Sequence, residues 1–357
     1  MFPRINIYLN KLKQNLDFLT ELCHSQGISV AIVTKVFCAD ERIVGLIDKS
    51  SADMFADSRI QNLAGMKANK PKLLLRIGMQ SEAEAIVSSA DISMQSELST
   101  IMLLSEAAKN NGKVHKIVLM IDMGDLREGI FNTDYSKILE TASFVSGSEW
   151  LELYGVGVNL TCYGGILPDE NNLGGLAAIA DRLRHDLGEE IPVVSGGNSS
   201  TLGLLMAHDV PAGINHLRLG ESFVLGNDTA IGKPAEGLNT DCFVLEAEIV
   251  ELQTKPSMPI GKSGPNAFGE YLEYPDRGMM KRAILAIGRQ DVSVDGLTPV
   301  DPEVEIIGAS SDHLIVNLTE CAHEYNVGDT ISFIPDYGAL LHLFTSKYVD
   351  RNYIDME

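Results

Sequence analysis

Val30-Ala31-Ile32-Val33-Thr34-Lys35 is an apolar, largely β-branched run closed by a lysine. It reads as a fully buried strand. A lysine at the mouth of such a strand is costly to keep charged. Burial lowers its pKa and leaves a neutral amine nucleophile, the form that makes a Schiff base with a carbonyl. The competing reading is a lysine whose stem lies on the apolar strand end while its ammonium snorkels to solvent. The rest of the chain separates the two.

Outward from this strand, apolar runs near 53–56, 72–76, 91–94, 116–121, 154–158, 191–195 and 215–219 alternate with helical patterns. Leu12, Leu16, Leu19 and Leu22 recur at helical spacing, with Gly27 as a stop. Segments 81–89, 97–110, 134–145 and 173–187 read as further helices. Eight strands with intervening helices give an α/β class and the pattern of a (β/α)8 TIM-like barrel. A doubly wound sheet is the alternative, because periodicity alone does not close a sheet. After Gly232-Lys233-Pro234 the pattern changes to short β-rich runs punctuated by glycine and proline: 244–252, 282–287, 304–307, 313–317 and 329–334. The expected division is a barrel over 1–234 and a smaller all-β domain over 235–357.

Composition narrows the function. Among 357 residues, 28 are Lys or Arg and 49 are Asp or Glu, for a net charge of −21. Such a chain repels a nucleic-acid backbone. No apolar run is long enough for a membrane span, and Met1-Phe2-Pro3-Arg4-Ile5-Asn6 lacks the apolar core of a signal peptide. The five cysteines are odd in number, widely spaced and without a CxxC pair, which points to free thiols in a reducing cytoplasm.

In a parallel barrel the chemistry gathers at the C-terminal strand ends. Lys35 lies at one. Arg127 lies on the glycine-bracketed loop Asp122–Gly129 after the fifth strand, where it can reach an anionic oxygen or remain a solvated surface arginine. Asn159 closes the sixth, as a ligand contact or a turn residue. Ser195-Gly196-Gly197-Asn198-Ser199-Ser200-Thr201 follows the seventh, as a phosphate cradle or an ordinary N-capped turn. Arg218 alternates with apolar neighbours on the eighth, either aimed into the barrel mouth or held in an ion pair with Glu221. These groups together fit a phosphorylated aldehyde with a ring to hold, and pyridoxal phosphate (PLP) meets that description.

From Phe2 to about Tyr353 the order of these motifs resembles the alanine racemase superfamily, PLP-dependent enzymes built on a barrel plus a β-domain. Val33-Thr34-Lys35-Val36 matches its PLP-lysine position. Arg127 resembles the arginine at the cofactor's phenolic oxygen, and Gly197-Asn198-Ser199-Ser200 resembles the phosphate turn. Leu217-Arg218-Leu219-Gly220 resembles the segment whose arginine faces the pyridine nitrogen. The resemblance further implies phosphate donors at the backbone of Gly220 and Glu221 and a phosphate contact from Tyr337. It also implies a homodimer in which each β-domain completes the partner's active site.

The sequence departs from that pattern at three places. Phe37-Cys38-Ala39-Asp40 stands where an Asn-Ala-Tyr-Gly-type run follows the lysine. Asn159 stands for a histidine. Arg289 stands for the tyrosine that serves as second base, and an arginine does not deprotonate near neutrality. The pattern is similar instead to the ornithine racemase branch of the superfamily. The implied activity is racemisation of a basic amino acid, ornithine first and lysine second, by α-proton abstraction from an external aldimine. Lys35 serves one face. Tyr271, Tyr274, Cys162 or a water near Arg289 is a candidate for the other, and Arg289 is alternatively a clamp on the substrate carboxylate. Asp291, Glu270, Glu273 and Asp276 are candidate partners for a cationic side chain. Racemisation of alanine or serine, a metal-assisted PLP aldolase or dehydratase, and a non-catalytic PLP-binding homeostasis protein remain as alternatives. No metal is expected, because Pro335–Ala339 lacks the metal-binding His-x-Cys pair of the metal-assisted relatives.

Overall fold

Strand and helix alternate where the two hydrophobic periods alternate. In the computed structural model, which describes residues 1–265, 268–271 and 273–355, β1 (Arg4–Tyr8) and α1 (Leu9–His24) come first. They are followed by β2 (Ser29–Val33), α2 (Glu41–Asp48), β3 (Met54–Asp57), α3 (Ile60–Gly65), β4 (Lys72–Leu74), α4 (Ala83–Ser89), β5 (Ile92–Gln95) and α5 (Leu98–Asn111). Then come β6 (His115–Asp122), a two-residue β7 (Ile130–Phe131), α6 (Tyr135–Ser146), β8 (Leu151–Gly157), α7 (Glu170–Leu187), β9 (Val193–Ser195), α8 (Leu202–Ala207), β10 (His216–Leu219) and α9 (Glu221–Leu225). All eight barrel strands expected from the sequence are present.

The sheet closes. β10 pairs in parallel with β2, and β5 with β6, so the order β2-β3-β4-β5-β6-β8-β9-β10 returns to its start. That excludes the doubly wound alternative. One parity of β2 to β6 forms a buried cluster: Ala31 and Val33, Met54 and Ala56, Leu73, Ile92 and Met94, Val118 and Met120. Lys35 follows two residues after the strand, at its C-terminal end, where the chain turns into a short 3-10 helix over Lys35–Phe37. Arg218 stands between Leu217 and Leu219, and all three are buried.

Contacts divide the chain into two units, Lys11–Thr240 and Met1–Asn10 with Asp241–Glu357. A single cut near 234 therefore does not describe it. β1 pairs antiparallel with β13 (Phe243–Pro256) and parallel with β19 (Asp350–Ile354), which draws the N-terminal strand out of the barrel unit. No local pattern signals such a long-range pairing. The barrel unit ends with a short hairpin, β11 (Asn227–Asp228) and β12 (Lys233–Pro234). The second unit continues with β14 (Met279–Leu285), β15 (Leu297–Pro299), β16 (Glu305–Ala309), β17 (Leu314–Asn317) and β18 (Thr330–Pro335). Its pairing order is β15-β18-β13-β14-β17-β16, antiparallel throughout. One helix, α10 (Tyr337–Thr345), interrupts its β character and is capped by Asp336, whose Oδ1 accepts from the Ala339 N–H at 2.7 Å.

Within the barrel unit, Asn15 on α1 is fully buried and joins distant parts of the chain. Its Nδ2 donates to the Phe223 and Asn239 carbonyls at 3.1 and 2.9 Å, and its Oδ1 accepts from the Asn239 N–H at 2.7 Å. Asn15→Leu keeps the volume and strands these three groups. The expected loss is about 2–3 kcal/mol, read as a lower urea midpoint at unchanged slope. An unchanged midpoint would contradict the role given to this amide.

Candidate active site

Lys35 begins a short turn at the end of β2. The backbone there closes tightly: Cys38 N–H donates to the Lys35 carbonyl and Ala39 N–H to the Thr34 carbonyl, both at 3.2 Å. Cys38 and Ala39 adopt φ of 49° and 50°. Asp40 then caps α2 by accepting from the Arg42 and Ile43 N–H groups. Burial pushes the Lys35 amine below its ordinary pKa. Arg127 acts in the same direction, while Cys162, Asp57 and Glu128 oppose it. This is the direction required of a nucleophilic amine. Beside it, Asp57 at the end of β3 is 0% exposed. It accepts from Thr34 Oγ1 at 2.6 Å, from Arg59 N–H at 2.8 Å and from Asn62 Nδ2 at 3.1 Å. Burial raises its carboxyl pKa in spite of those donors.

The loop after β6 is shaped by its own backbone. Asp122 Oδ1 accepts from Gly124 and Leu126 N–H at 2.8 and 3.1 Å. Gly129 has φ +127°, and a Cβ there would lie 2.4 Å from the Asp122 nitrogen, so only glycine fits. Asp125, 1% exposed, accepts from Tyr163 and Ile166 N–H at 3.0 and 3.2 Å, which staples this loop to the one after β8. The result sets Arg127 beside Glu128, paired through Nε and Nη2. Hydrogen bonds with Glu128 raise the Arg127 pKa. Burial pushes the Glu128 carboxyl up, but bonds from Arg127 and Asn159 outweigh it and hold it below its ordinary value.

From Glu128 a chain of hydrogen bonds crosses the strand ends. Asn159 Nδ2 donates to Glu128, and Asn159 Oδ1 accepts from Arg218 Nη2 at 3.0 Å. Arg218, 2% exposed, also donates to the Val158 carbonyl at 2.7 Å and to Ser195 Oγ. Burial lowers its pKa to about 10, so it stays charged at neutral pH. Ser195 Oγ lies 2.7 Å from His216 Nδ1.

That buried histidine has a consequence for stability. Burial, and then Arg218, depresses the His216 pKa to about 3. Burial, and then Lys113, depresses that of His115 to about 4. The unfolded chain binds these protons near pH 6.5 and the folded chain does not. Their contribution is therefore complete above pH 6.5 and drains as pH falls toward 4 and 3. Each adds a slope of up to about 1.4 kcal/mol per pH unit within its window. Asp57, shifted upward, titrates with the opposite sign, so the useful quantity is wild type minus variant. His216→Gln is expected to flatten the loss of urea stability between pH 6.5 and 5. Parallel curves for the two proteins would contradict this.

The turn after β9 is built on Gly197 at φ +113°. Asn198 Oδ1 accepts from Ser200 N–H at 2.9 Å, and Asn198 Nδ2 donates to the Leu160 carbonyl at 3.0 Å and to Cys162 Sγ at 3.4 Å. Ser199 Oγ receives the Gly220 and Ser222 N–H groups, both at 3.2 Å, and lies 3.1 Å from Ser222 Oγ. Ser199 thus ties the turn to the segment that opens α9, where Glu221 is the first residue. Ser200 Oγ is different: it is buried and has no hydrogen-bond partner among the described residues. An orphaned buried hydroxyl in this turn, at the same C-terminal strand ends that carry Lys35 and Arg218, fits the phosphate of a phosphorylated aldehyde.

Of the residues singled out from the sequence, Lys35, Arg127, Asn159, Asn198, Ser199, Ser200, Arg218, Gly220 and Glu221 all lie in the barrel unit at or just beyond C-terminal strand ends. Arg289, Tyr271 and Tyr337 lie in the other unit. Arg289 Nη1 bonds Glu270 at 3.2 Å and its guanidinium stacks 4.6 Å from the Phe268 ring centroid. Tyr271 is 81% exposed. Tyr337 is half-buried at the start of α10. Among the acidic candidates for a cationic substrate group, Glu270 is taken by Arg289, Asp291 is buried and accepts from Ser346 Oγ at 2.7 Å, and Asp276 accepts from Gly278 N–H. Glu273 is exposed. Glu128, Asp57 and Asp125 were not singled out. Only the position of Glu128 next to Arg127 in a glycine-bracketed loop hinted at a role.

Comparison with known proteins gives this arrangement its class. Residues 7–228 match the family model "Alanine racemase, N-terminal domain". The chain is 49% identical over 352 residues to the ornithine racemase of Acetoanaerobium sticklandii, spanning 98% of this chain and 99% of that protein. It is 36% identical over 356 residues to the lysine racemase of Thermotoga maritima, spanning 99% of each. The chain belongs to the alanine racemase N-terminal domain family. Its fold is that of the Bartonella henselae alanine racemase solved with covalently bound pyridoxal phosphate: TM-score 0.74, 17% identity, 98% of this chain and 99% of that one.

Proposed function

We propose that this chain is a PLP-dependent racemase that interconverts L- and D-ornithine. The observation that carries the chemistry is the grouping at the strand ends of Lys35, the Arg127–Glu128–Asn159–Arg218 chain and the orphaned Ser200 hydroxyl. The substrate follows from the 49% identity to an ornithine racemase along nearly the whole chain, against 36% to a lysine racemase. No helix among the described residues is long and apolar enough to cross a membrane.

When bound, PLP supplies the electron sink that makes the Cα proton of an attached amino acid removable. Lys35 is the residue that would hold the aldehyde through Nζ, and its amine would take or return the substrate's Cα proton on its own face. Arg127 would donate to the phenolic oxygen, and Asn159 would help hold the ring. Arg218 would set a charged donor at the ring nitrogen, which would disfavour protonation there and favour simple proton exchange. Ser200 Oγ and the Glu221 backbone would hold the phosphate at the turn that Asn198 shapes and Ser199 braces, the Gly220 N–H being already spent on Ser199 Oγ. Arg289 clamps the substrate carboxylate and Tyr271 works on the opposite face, both from the C-terminal unit of a second copy in a cytoplasmic homodimer. The exposure of Tyr271 suits a group that awaits a second chain.

The test is a chiral assay of the PLP-loaded protein on ornithine, lysine, arginine, alanine and serine. Ornithine is expected to show the highest kcat/KM. Racemisation of none of the five would overturn the activity, and a preference for alanine would overturn the substrate.

A further inference from the structure

We propose that Glu128 is a positioning residue that locks Arg127 and, through the Asn159 amide, Arg218 into one array at the barrel mouth. The inference rests on the reading above that both arginines face the cofactor. Adjacent residues in extended chain point to opposite sides. Here Leu126 at φ +58° and Gly129 at φ +127° bend the loop so that Arg127 and Glu128 meet side by side. The Glu128 side chain is only 15% exposed, unlike an ordinary surface ion pair. Its Oε2 accepts from Arg127 Nε, while Oε1 accepts both Arg127 Nη2 and Asn159 Nδ2. The amide at 159 must therefore present its donor end to a carboxylate and its acceptor end to the Arg218 guanidinium. A carboxylate at 159 would face Glu128 with like charge, and an apolar residue would cut the chain of bonds. One acidic side chain thus holds the orientation of two cationic ones and offsets part of their charge near Lys35. Lys35 is influenced by Cys162, Arg127, Asp57 and Glu128, and Glu128 by Arg127 and Arg218.

The experiment uses the PLP-loaded protein and reads kcat, KM and the pH titration of the lysine-bound cofactor's visible absorbance. In Glu128→Gln, one negative charge is lost and Arg127 is left uncompensated, and both changes disfavour a protonated Lys35 nitrogen. The titration midpoint is expected to fall by about one pH unit. The kcat is expected to fall about 10- to 100-fold with KM changed less than about threefold. Glu128→Asp keeps the charge but is too short to span both partners, so its midpoint stays near wild type while kcat remains depressed. Its soluble expression also guards against a Gln variant that fails to fold. Asn159→Ala combined with Glu128→Gln should cost little more than Glu128→Gln alone, because the two act in one chain. A Glu128→Gln enzyme with wild-type kcat and midpoint, or strictly additive losses in the double variant, would overturn the inference. Neither result touches the assignment of Lys35, which fails only if the Lys35→Ala protein retains a lysine-type cofactor spectrum.

Discussion

Lys35→Ala is expected to lower turnover by about 10⁴-fold or more, since it removes both the covalent anchor and the proton-transfer group on one face. The same variant should bind PLP without forming a borohydride-reducible bond to the chain. The physical basis is local. Lys35 sits past a strand whose inward residues are Ala31 and Val33, and burial holds its amine below the ordinary lysine pKa. Intact-mass analysis after borohydride reduction checks the anchor, and a reduced adduct that persists in Lys35→Ala would place it elsewhere. Adding a small primary amine to the variant should restore part of the proton transfer, whereas a variant that had merely unfolded would not respond.

Arg218→Ala is expected to have the second largest effect, and to act on stability as well as rate. The guanidinium is 2% exposed and serves three acceptors: the Val158 carbonyl, Asn159 Oδ1 and Ser195 Oγ. Its loss strips the Val158 carbonyl and Asn159 Oδ1 of this donor, leaves Ser195 Oγ with His216 alone, and leaves Glu128 with one counter-charge fewer. Truncating one side of a buried charge network typically costs about 3–5 kcal/mol. The expected readout is a large drop in urea midpoint together with a fall in kcat of about 10²-fold or more. Arg218→Lys keeps the charge, but a single ammonium cannot span three acceptors as a planar fork does, so it should recover stability in part and rate hardly at all. An alanine variant with the wild-type midpoint would contradict the burial argument. A lysine variant with the wild-type rate would contradict the claim that the fork's geometry matters.

Much of the barrel was legible because its strands carry their own signal. Val30–Val33, Lys116–Ile121 and His216–Leu219 are apolar runs of strand length, and the helices between them repeat at 3.6 residues. Arg218 was legible only in part: its alternation with two leucines left aim into the barrel and an ion pair with Glu221 both open, and its pairing opposite Ala31 fixes the face. Closure was not legible, because it depends on β10 meeting β2 across nearly the whole barrel sequence. The place of Arg4–Tyr8 was hidden for the same reason: its partners are more than 200 residues away. Within the site, single residues at strand ends could be named, but their bonds to one another could not. Glu128 reads as a surface acid until the positive φ values on either side of it are known. Asp57 reads as the polar end of a strand until Thr34, Arg59 and Asn62 are seen around it. Ser199 and Ser200 are indistinguishable in sequence. Only the structure shows one hydroxyl spent on Gly220 and Ser222 and the other left over.

The most direct measurement of the central claim is incubation of the PLP-loaded protein with L-ornithine in deuterated water, followed by chiral separation and mass analysis. The expected result is D-ornithine carrying one deuterium at Cα, with deuterium also entering the recovered L-ornithine as the reaction approaches a 1:1 mixture. Ornithine that remains wholly L and unlabelled, in a protein shown to hold PLP on Lys35, would contradict it.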